Sequence, residues 1–338
     1  MGKILITGGA GFIGSNYAER LLRNGHQVTL FDNLSRKGSV QNLEWLQGKY
    51  SSGIKFVQGD VRHFEDVKEA VYKQDVVFHF AAQVAVTSSV VNPREDFEIN
   101  ALGTLNVLEA ARLSSNNPLI VYASTNKVYG AMDDVSVVET ATRWQYKELP
   151  LGISEQNHLD FHSPYGCSKG AGDQYVRDYS RIYSIPTVVF RQSCIYGVRQ
   201  YGIEDQGWLA HFIISILKDS KIKIYGDGKQ VRDILWIDDL LDAYDIVLES
   251  PNNFAGQVFN IGGGVDFTVS IWNEIESILK DLAGKDLSIR YDDWRPGDQK
   301  VYISDITAFS RSGWSPKVDP VTGTKLLWEW ISDHIHLL

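Results

Sequence analysis

One short segment restricts the fold of this chain more than any other. Thr7-Gly8-Gly9-Ala10-Gly11-Phe12-Ile13-Gly14 lies directly between an apolar run, Ile4–Thr7, and an amphipathic stretch from about 12 to 24. A strand that ends in such a turn and feeds straight into a helix opens a βαβ unit. Gly8 permits the tight turn, Gly11 lets the backbone approach a pyrophosphate, and Gly14 lets helix and strand pack closely. The helix N-terminus adds N–H groups and a positive dipole for the phosphates. Asp32 closes the second strand at the distance where a carboxylate accepts hydrogen bonds from a ribose 2′-hydroxyl and repels a 2′-phosphate. NAD is therefore expected rather than NADP, although Arg36 close by works slightly the other way.

The first half of the chain alternates strand and helix. Strands are predicted at Ile4–Thr7, Gln27–Phe31, Lys55–Val57, Val76–Phe80 and Leu119–Tyr122, with helices at about 12–24, 63–73 and 94–114. Such alternation predicts a parallel sheet covered on both faces, with ligands at the strand C-termini. From Gly130 to Ser163 the pattern stops, and this long polar stretch with scattered aromatics reads as a functional loop. A helix at about Tyr165–Tyr183 and a strand at Thr187–Arg191 come next. Beyond Gly197 the elements are shorter and mixed, with turns at Tyr225-Gly226-Asp227-Gly228 and Ile261-Gly262-Gly263-Gly264. The expected architecture is α/β: a doubly wound parallel sheet of Rossmann type at 1–197, with segments returning from the second half, and a smaller mixed α/β substrate domain at 198–338.

Charge and cysteine usage narrow the partners. With 42 acidic and 33 basic residues the formal charge is −9, which disfavours nucleic acid. No apolar run is long enough to cross a bilayer, and the first residues begin a strand without the layout of a signal peptide. Cys167 and Cys194 lack metal-ligand spacing, so no metal site is expected and a disulfide is disfavoured. Cytoplasm is the expected compartment.

Tyr165-Gly166-Cys167-Ser168-Lys169 sets a phenol and an ammonium four residues apart, on one helical face. A cation beside a phenol stabilises the phenolate and makes a base usable near neutrality. Tyr-x-x-x-Lys alone is common by chance. Ser124-Thr125, at the end of the fifth strand, adds hydroxyls at the sheet's C-terminal edge, beside the expected nicotinamide.

With these residues in place the sequence resembles the extended branch of the short-chain dehydrogenases, enzymes of nucleotide-sugars. The resemblance spans essentially the whole chain: the Gly-rich turn, His79-Phe80-Ala81-Ala82, Asn100 in the segment 100–112, the hydroxyl–Tyr–Lys set, Arg232 in Gly228–Asp233, and Arg295-Pro296-Gly297-Asp298. It implies that Thr125, Tyr165 and Lys169 are catalytic. It implies that NAD is tightly bound by Gly8, Gly11, Phe12, Ile13, Gly14, Asp32, Asn33, Ser35, Arg36, Asp60, Val61, Ala81, Ala82, Gln83, Asn100, Ser124, Tyr165, Lys169 and Gln192. It implies a substrate held by Gln83, Thr125, Asn126, Lys127, Cys194, Arg199, Gln206, Arg232 and Arg295. The two arginines, Arg232 and Arg295, would hold the pyrophosphate through forked guanidinium pairing. Cys194 stands where many members have an asparagine.

Branch members first oxidise a sugar hydroxyl to a ketone, and the fate of that ketone distinguishes them. The 4,6-dehydratases carry Asp-Glu after the catalytic Thr, whereas here Asn126-Lys127 stands, which cannot act as a carboxyl pair. The segments Phe31–Gly38, Ser124–Gly130, Leu159–Lys169, Arg199-Gln200 and Asp205–Trp208 resemble the CDP-tyvelose (CDP-paratose) 2-epimerases. That resemblance implies C2′ inversion of a CDP-hexose through a 2′-keto sugar, with Asn126, Lys127 and Gln83 holding the sugar as it turns. Lys127 reads equally well as a salt-bridged structural residue, and His162 as a structural or capping one. A 4-epimerase of UDP- or CDP-sugars would use the same base, and a non-catalytic NAD-binding sensor on the same fold is the alternative of a different class. Amphipathic helices at about 94–114 and 165–183 are expected to pair in a homodimer or homotetramer.

Overall fold

The computed structural model describes residues 2–295 and 298–338, so Pro296 and Gly297 of the expected arginine motif lie outside the described residues. The chain forms two compact units interleaved along the sequence. The first comprises residues up to Thr125, Ser163–Arg191 and Tyr244–Phe259; the second comprises Asn126–His162, Gln192–Ala243 and Asn260–Leu338. Residues 126–162 and 192–197 thus lie in the second unit, and 244–259 lie in the first.

The first unit is built on a seven-stranded sheet. Its strands are β1 (Lys3–Thr7), β2 (Gln27–Asp32), β3 (Ile54–Gln58), β4 (Val76–His79), β5 (Leu119–Thr125), β6 (Thr187–Gln192) and β7 (Gln257–Ile261), in the order β7-β6-β5-β4-β1-β2-β3. The pairs β1·β2, β2·β3, β1·β4 and β4·β5 are parallel. Strand order reverses between β1 and β4, the switch point where doubly wound sheets bind ligands. The register brings Thr7 beside both Phe31 and His79. Ile4, Leu5 and Ile6 are fully buried, as a central strand covered on both faces requires. This α/β architecture is the one the alternation predicts.

Helices α1 (Phe12–Arg23), α2 (Ser39–Lys49) and α3 (Phe64–Val71) join the first strands. Apolar spacing does not announce α2, whose core contact is made by Leu43 and Leu46 among polar neighbours, or the short α4 (Val86–Val91). The helix expected at 94–114 is a composite: α5 (Pro93–Phe97), a π-helical turn over Glu98–Leu102, and α6 (Gly103–Leu113). A π-helical turn rotates the residues after it out of α-helical phase, and here it holds Asn100. The long helix α7 spans Ser163–Tyr183.

The second unit carries short strands and helices. A parallel pair (Ile195–Tyr196 with Leu235–Trp236), a three-stranded sheet centred on Val231–Asp233 and a parallel pair of Ile222–Tyr225 with Ile289–Asp292 lie beside helices Trp208–Leu217, Ile275–Ala283 and Pro320–His334. The stretch read as a loop from Gly130 to Ser163 is more than one. It contains an antiparallel hairpin, Val137–Glu139 with Trp144–Tyr146. Its Ile153, Leu159 and Phe161, with Tyr129 just before it, belong to a core cluster around Tyr302. Its apolar groups are too irregularly spaced to announce that packing. Among the described residues no helix is long and apolar enough to cross a membrane.

Candidate active site

The turn between β1 and α1 is shaped by what it leaves out. Gly8 adopts φ +68, and its N–H donates to the Phe31 carbonyl at 2.8 Å. A Cβ at Gly14 would stand 2.2 Å from the Gly8 carbonyl oxygen. Both are tolerable only for glycine, and the result is a bare backbone cradle leading into a helix with no acid in its first turn. Asp32 is buried beside it, its carboxylate accepting from the Ala10 N–H at 3.0 Å and the Leu34 N–H at 2.8 Å. Burial raises its pKa, and those two N–H groups oppose the rise. A cradle without side chains, closed by an acid at the end of the neighbouring strand, fits the dinucleotide expected from the sequence.

The surrounding residues are tied to one another. Asn33 donates to Asp60 at 2.9 Å and accepts from the Ser35 N–H at 3.0 Å. Arg62 grips Asp60 through two bonds, Nε–Oδ1 2.9 Å and Nη2–Oδ2 2.7 Å, holding that carboxyl well below the usual range. Val61 packs in the core, and its carbonyl accepts from Asn106 at 2.8 Å. The Ala81 N–H donates to Thr7 Oγ1 at 3.3 Å. Asn100 and Gln83 clamp each other's backbone and side chain: the Gln83 N–H donates to Asn100 Oδ1 at 2.9 Å, and Asn100 Nδ2 donates to the Gln83 carbonyl at 3.0 Å. The Gln83 amide itself is engaged with the Ala85 backbone.

The expected catalytic residues meet where β5 ends against α7. The Thr125 and Tyr165 hydroxyls hydrogen-bond to each other. Burial pushes the Tyr165 phenol up to about 12, while Thr125 and the charge of Arg36 pull it down and Asp96 adds to the rise. Arg36 is thus a cation acting on the phenol that the sequence spacing did not single out. Lys169, one helical turn after Tyr165, donates from Nζ to the Ala123 carbonyl at 2.6 Å and lies 4.2 Å from the Tyr122 ring centroid. Its burial brings it down to about 7, against the opposing charges of Asp173 and Asp96. The hydroxyl of Ser124 donates to Asp173 at 2.8 Å. Ser168 and Asn100 both donate to Asp96, at 2.5 and 3.1 Å. His79 sits beneath, between Thr7 Oγ1 at 2.7 Å and Thr104 Oγ1 at 3.1 Å, and burial lowers it to about 3.

The second unit gathers a separate group. Lys127 Nζ donates to Gln299 Oε1 at 3.3 Å, and burial lowers its pKa against the pull of Asp298. Arg232 Nη2 donates to Asp298 at 2.6 Å. Cys194 adopts φ +39; burial raises its thiol, while Arg232 and Lys127 act to lower it. Lys127, Cys194 and Arg232 are therefore brought together, two cations around one thiol. Arg295 stands elsewhere in the unit, its guanidinium 4.0 Å from the Tyr225 ring centroid, 3.3 Å from Asp205 and 3.0 Å from the Glu204 carbonyl. Gln206 closes a backbone bridge with Ile203, and Arg199 adopts φ +66. Asn126 and Gln192 are buried. His162 is exposed. Among the described residues no cluster of His, Cys, Asp and Glu suits a metal ion.

Residues 4–262 match the model of the NAD dependent epimerase/dehydratase family. The chain belongs to this family. Two curated relatives align along nearly the full length of both partners. The CDP-paratose 2-epimerase of Salmonella typhi is 44% identical, over 98% of this chain and 99% of its own. A putative UDP-glucose 4-epimerase of Methanocaldococcus jannaschii is 34% identical, over the same shares. Among solved structures, the UDP-glucuronic acid 4-epimerase of Bacillus cereus, in complex with UDP-glucuronic acid and NAD, superposes with a TM-score of 0.84 at 29% identity, covering 98% of this chain and 99% of that one. The epimerase/dehydratase assignment agrees with the resemblance read from the Gly-rich turn and the Tyr165–Lys169 pair.

Proposed function

We propose that this family member is an NAD-dependent isomerase that inverts C2′ of a CDP-hexose: CDP-paratose and CDP-tyvelose, with CDP-glucose and CDP-mannose as further candidates. The observation that supports it most is the hydroxyl–phenol pair Thr125–Tyr165 with Lys169 one turn on, in a chain 44% identical to a CDP-paratose 2-epimerase along 98% of its length. Bound NAD would supply a hydride acceptor that returns the same hydride, together with a positive ring, so no net redox change occurs and tight retention is expected. Gly8, Gly11 and Gly14 would admit its pyrophosphate and Asp32 its adenosine ribose.

Tyr165 Oη takes the proton of the 2′-hydroxyl as C2′ becomes a ketone. Thr125 holds the phenol by its hydroxyl and favours the phenolate, and the charge of Arg36 favours it further. The ketone then turns to show its opposite face, and Tyr165 gives its proton back as the centre is restored with inverted configuration. Asn126 and Lys127 supply hydrogen-bond donors to the turning sugar. Arg232 and Arg295 pair with the pyrophosphate through forked contacts that a lysine would not reproduce. A carboxyl pair after Thr125, which dehydration at C5 and C6 requires, is replaced by Asn126-Lys127.

A 4-epimerase reading draws on the 34% identity to a putative UDP-glucose 4-epimerase, since the same base serves either hydroxyl. Product analysis separates the two. Purified protein, without added cofactor, is incubated with CDP-paratose, CDP-glucose and UDP-glucose separately, and the sugars are read by NMR. A C2′ epimer from a CDP-sugar supports the proposal; inversion at C4 overturns it in favour of the second reading. A homodimer or homotetramer would use the outer faces of α4–α7, where Val91, Phe97, Tyr175 and Ile182 are exposed; sedimentation checks it.

A further inference from the structure

The end of β5 is joined to α7 by three successive contacts, and the third belongs to no step of the proposed reaction. Tyr165, Lys169 and Asp173 recur at intervals of four along one face of α7. They meet three consecutive residues of β5: Tyr165 meets the Thr125 hydroxyl, Lys169 the Ala123 carbonyl, and Asp173 the Ser124 hydroxyl. Asp173 is also held from β6, where Arg191 donates from Nε to Oδ2 at 2.9 Å and from Nη2 to Oδ1 at 3.0 Å. Gln174 adds a bond to Oδ1 at 2.8 Å. The side chains of Arg191 and Asp173 are 2% and 0% exposed.

Stability alone is a poor reason to bury such a pair. Two ions taken from water lose hydration that their attraction repays only in good geometry, and well-packed apolar residues of similar size often serve as well or better. What apolar residues lack is direction. Four hydrogen bonds fix the Asp173 carboxylate, so a shift of α7 along β5 would break Ser124–Asp173 together with Lys169–Ala123. We propose that Asp173, held by Arg191 and Ser124, is a positioning residue that sets the register of α7 against β5 and keeps the ammonium of Lys169 charged.

The groups facing Lys169 support this division of labour. Asp173 faces it from its own helix, Asp96 from α5, His79 from β4 and the Tyr122 ring from β5. His79 is held neutral by burial and so adds no charge near neutrality. Asp96 favours the charged lysine but also raises the Tyr165 phenol. Asp173 is the larger of the two carboxylate influences on Lys169. It therefore sustains the cation more than Asp96 does.

The inference rests on Tyr165 and Lys169 being the proton-handling pair, and its test reads Lys169 directly. In the full chain labelled with 13Cε-lysine, with the Lys169 signal assigned through Lys169→Met, the titration midpoint is tracked by NMR. Asp173→Asn is expected to lower that midpoint by about one pH unit or more. Asp173→Glu, which keeps the charge, should restore most of it. A folded Asp173→Asn protein with an unmoved midpoint overturns the proposal. If Asp173→Asn does not fold, the double variant Asp173→Leu, Arg191→Met removes both charges at once and must still lower the midpoint. An unmoved midpoint there, or failure of both variants to fold, assigns the pair to stability and overturns the proposal. A wild-type protein that epimerises nothing, yet shows the shift on Asp173→Asn, strikes the functional reading alone.

Discussion

The Thr125 hydroxyl and the Tyr165 phenol are hydrogen-bonded where β5 ends against α7, and Thr125 pulls the phenol down from the value to which burial raises it. This bond ties the last residue of a strand to the first turn of a helix that begins well downstream, at Ser163. Removing either hydroxyl should therefore affect proton transfer more than folding.

Tyr165→Phe keeps the buried ring and deletes only the group proposed to handle the proton. Turnover should fall by about 10²–10⁴, the range for a positioned general base, while circular dichroism and the amount of copurified NAD stay near wild type. Unchanged turnover would remove Tyr165 from the mechanism.

Thr125→Val is milder and more diagnostic. Without the Thr125 bond the phenolate is less favoured, so the Tyr165 pKa rises and the acidic edge of the pH–rate profile moves to higher pH. The expected loss of rate at neutral pH is about tenfold for each unit of that shift. A uniform loss with an unmoved edge would mean that Thr125 acts through substrate contact alone.

His79 offers a stability test independent of catalysis. Its folded pKa, about 3, lies below the ordinary 6.5, so the unfolded chain binds more protons between those values. The contribution of this neutral histidine is complete above pH 6.5 and is lost as pH falls toward 3, on the order of a few kcal/mol. His79→Gln should lower the urea midpoint at pH 7, because the bridge from Thr7 to Thr104 is broken, and should flatten the decline of that midpoint between about pH 6.5 and 4. An equally steep decline in the variant would assign acid sensitivity to other groups.

How much of the fold and site is legible in the sequence depends on the range of the interactions. The turn from Thr7 to Gly14 is local, and its glycines obey steric demands that a reader can state from spacing alone. Tyr165 and Lys169 are likewise one helical turn apart. The Arg191–Asp173 pair, the Ser124 bond to Asp173 and the influence of Arg36 on Tyr165 join residues from different elements, and nothing in local pattern distinguishes them from surface charges. The helix at 94–114 is visible as an amphipathic run, but the π-helical turn around Asn100 is not, because one extra residue per turn barely alters apolar spacing. The stretch after Gly130 looks like a loop because its core residues, Ile153 and Phe161, pack with Tyr129 around Tyr302, which lies far along the chain. Lys127 reads either as a sugar contact or as a structural ion pair; the structure puts it on Gln299 with Arg232 and Cys194 close by.

The Gly-rich turn permits a test that needs no substrate. A methyl group at Gly14 would come within 2.2 Å of the Gly8 carbonyl oxygen and 2.8 Å of the Gly9 Cα, both backbone atoms that cannot swing aside. Gly14→Ala must therefore push α1 away from β1 and open the cradle that Gly8 and Gly11 form. Forced overpacking of this kind costs about 1–3 kcal/mol, a part of the fold's stability rather than all of it, so the variant should still be recovered folded. If the turn holds NAD as proposed, copurified NAD, measured by absorbance after denaturation, should drop well below the wild-type amount. At Gly48, by contrast, an added Cβ meets nothing within 4 Å, and Gly48→Ala should leave both stability and NAD content unchanged or slightly improved. Equal NAD retention in both variants would show that the turn does not hold the dinucleotide.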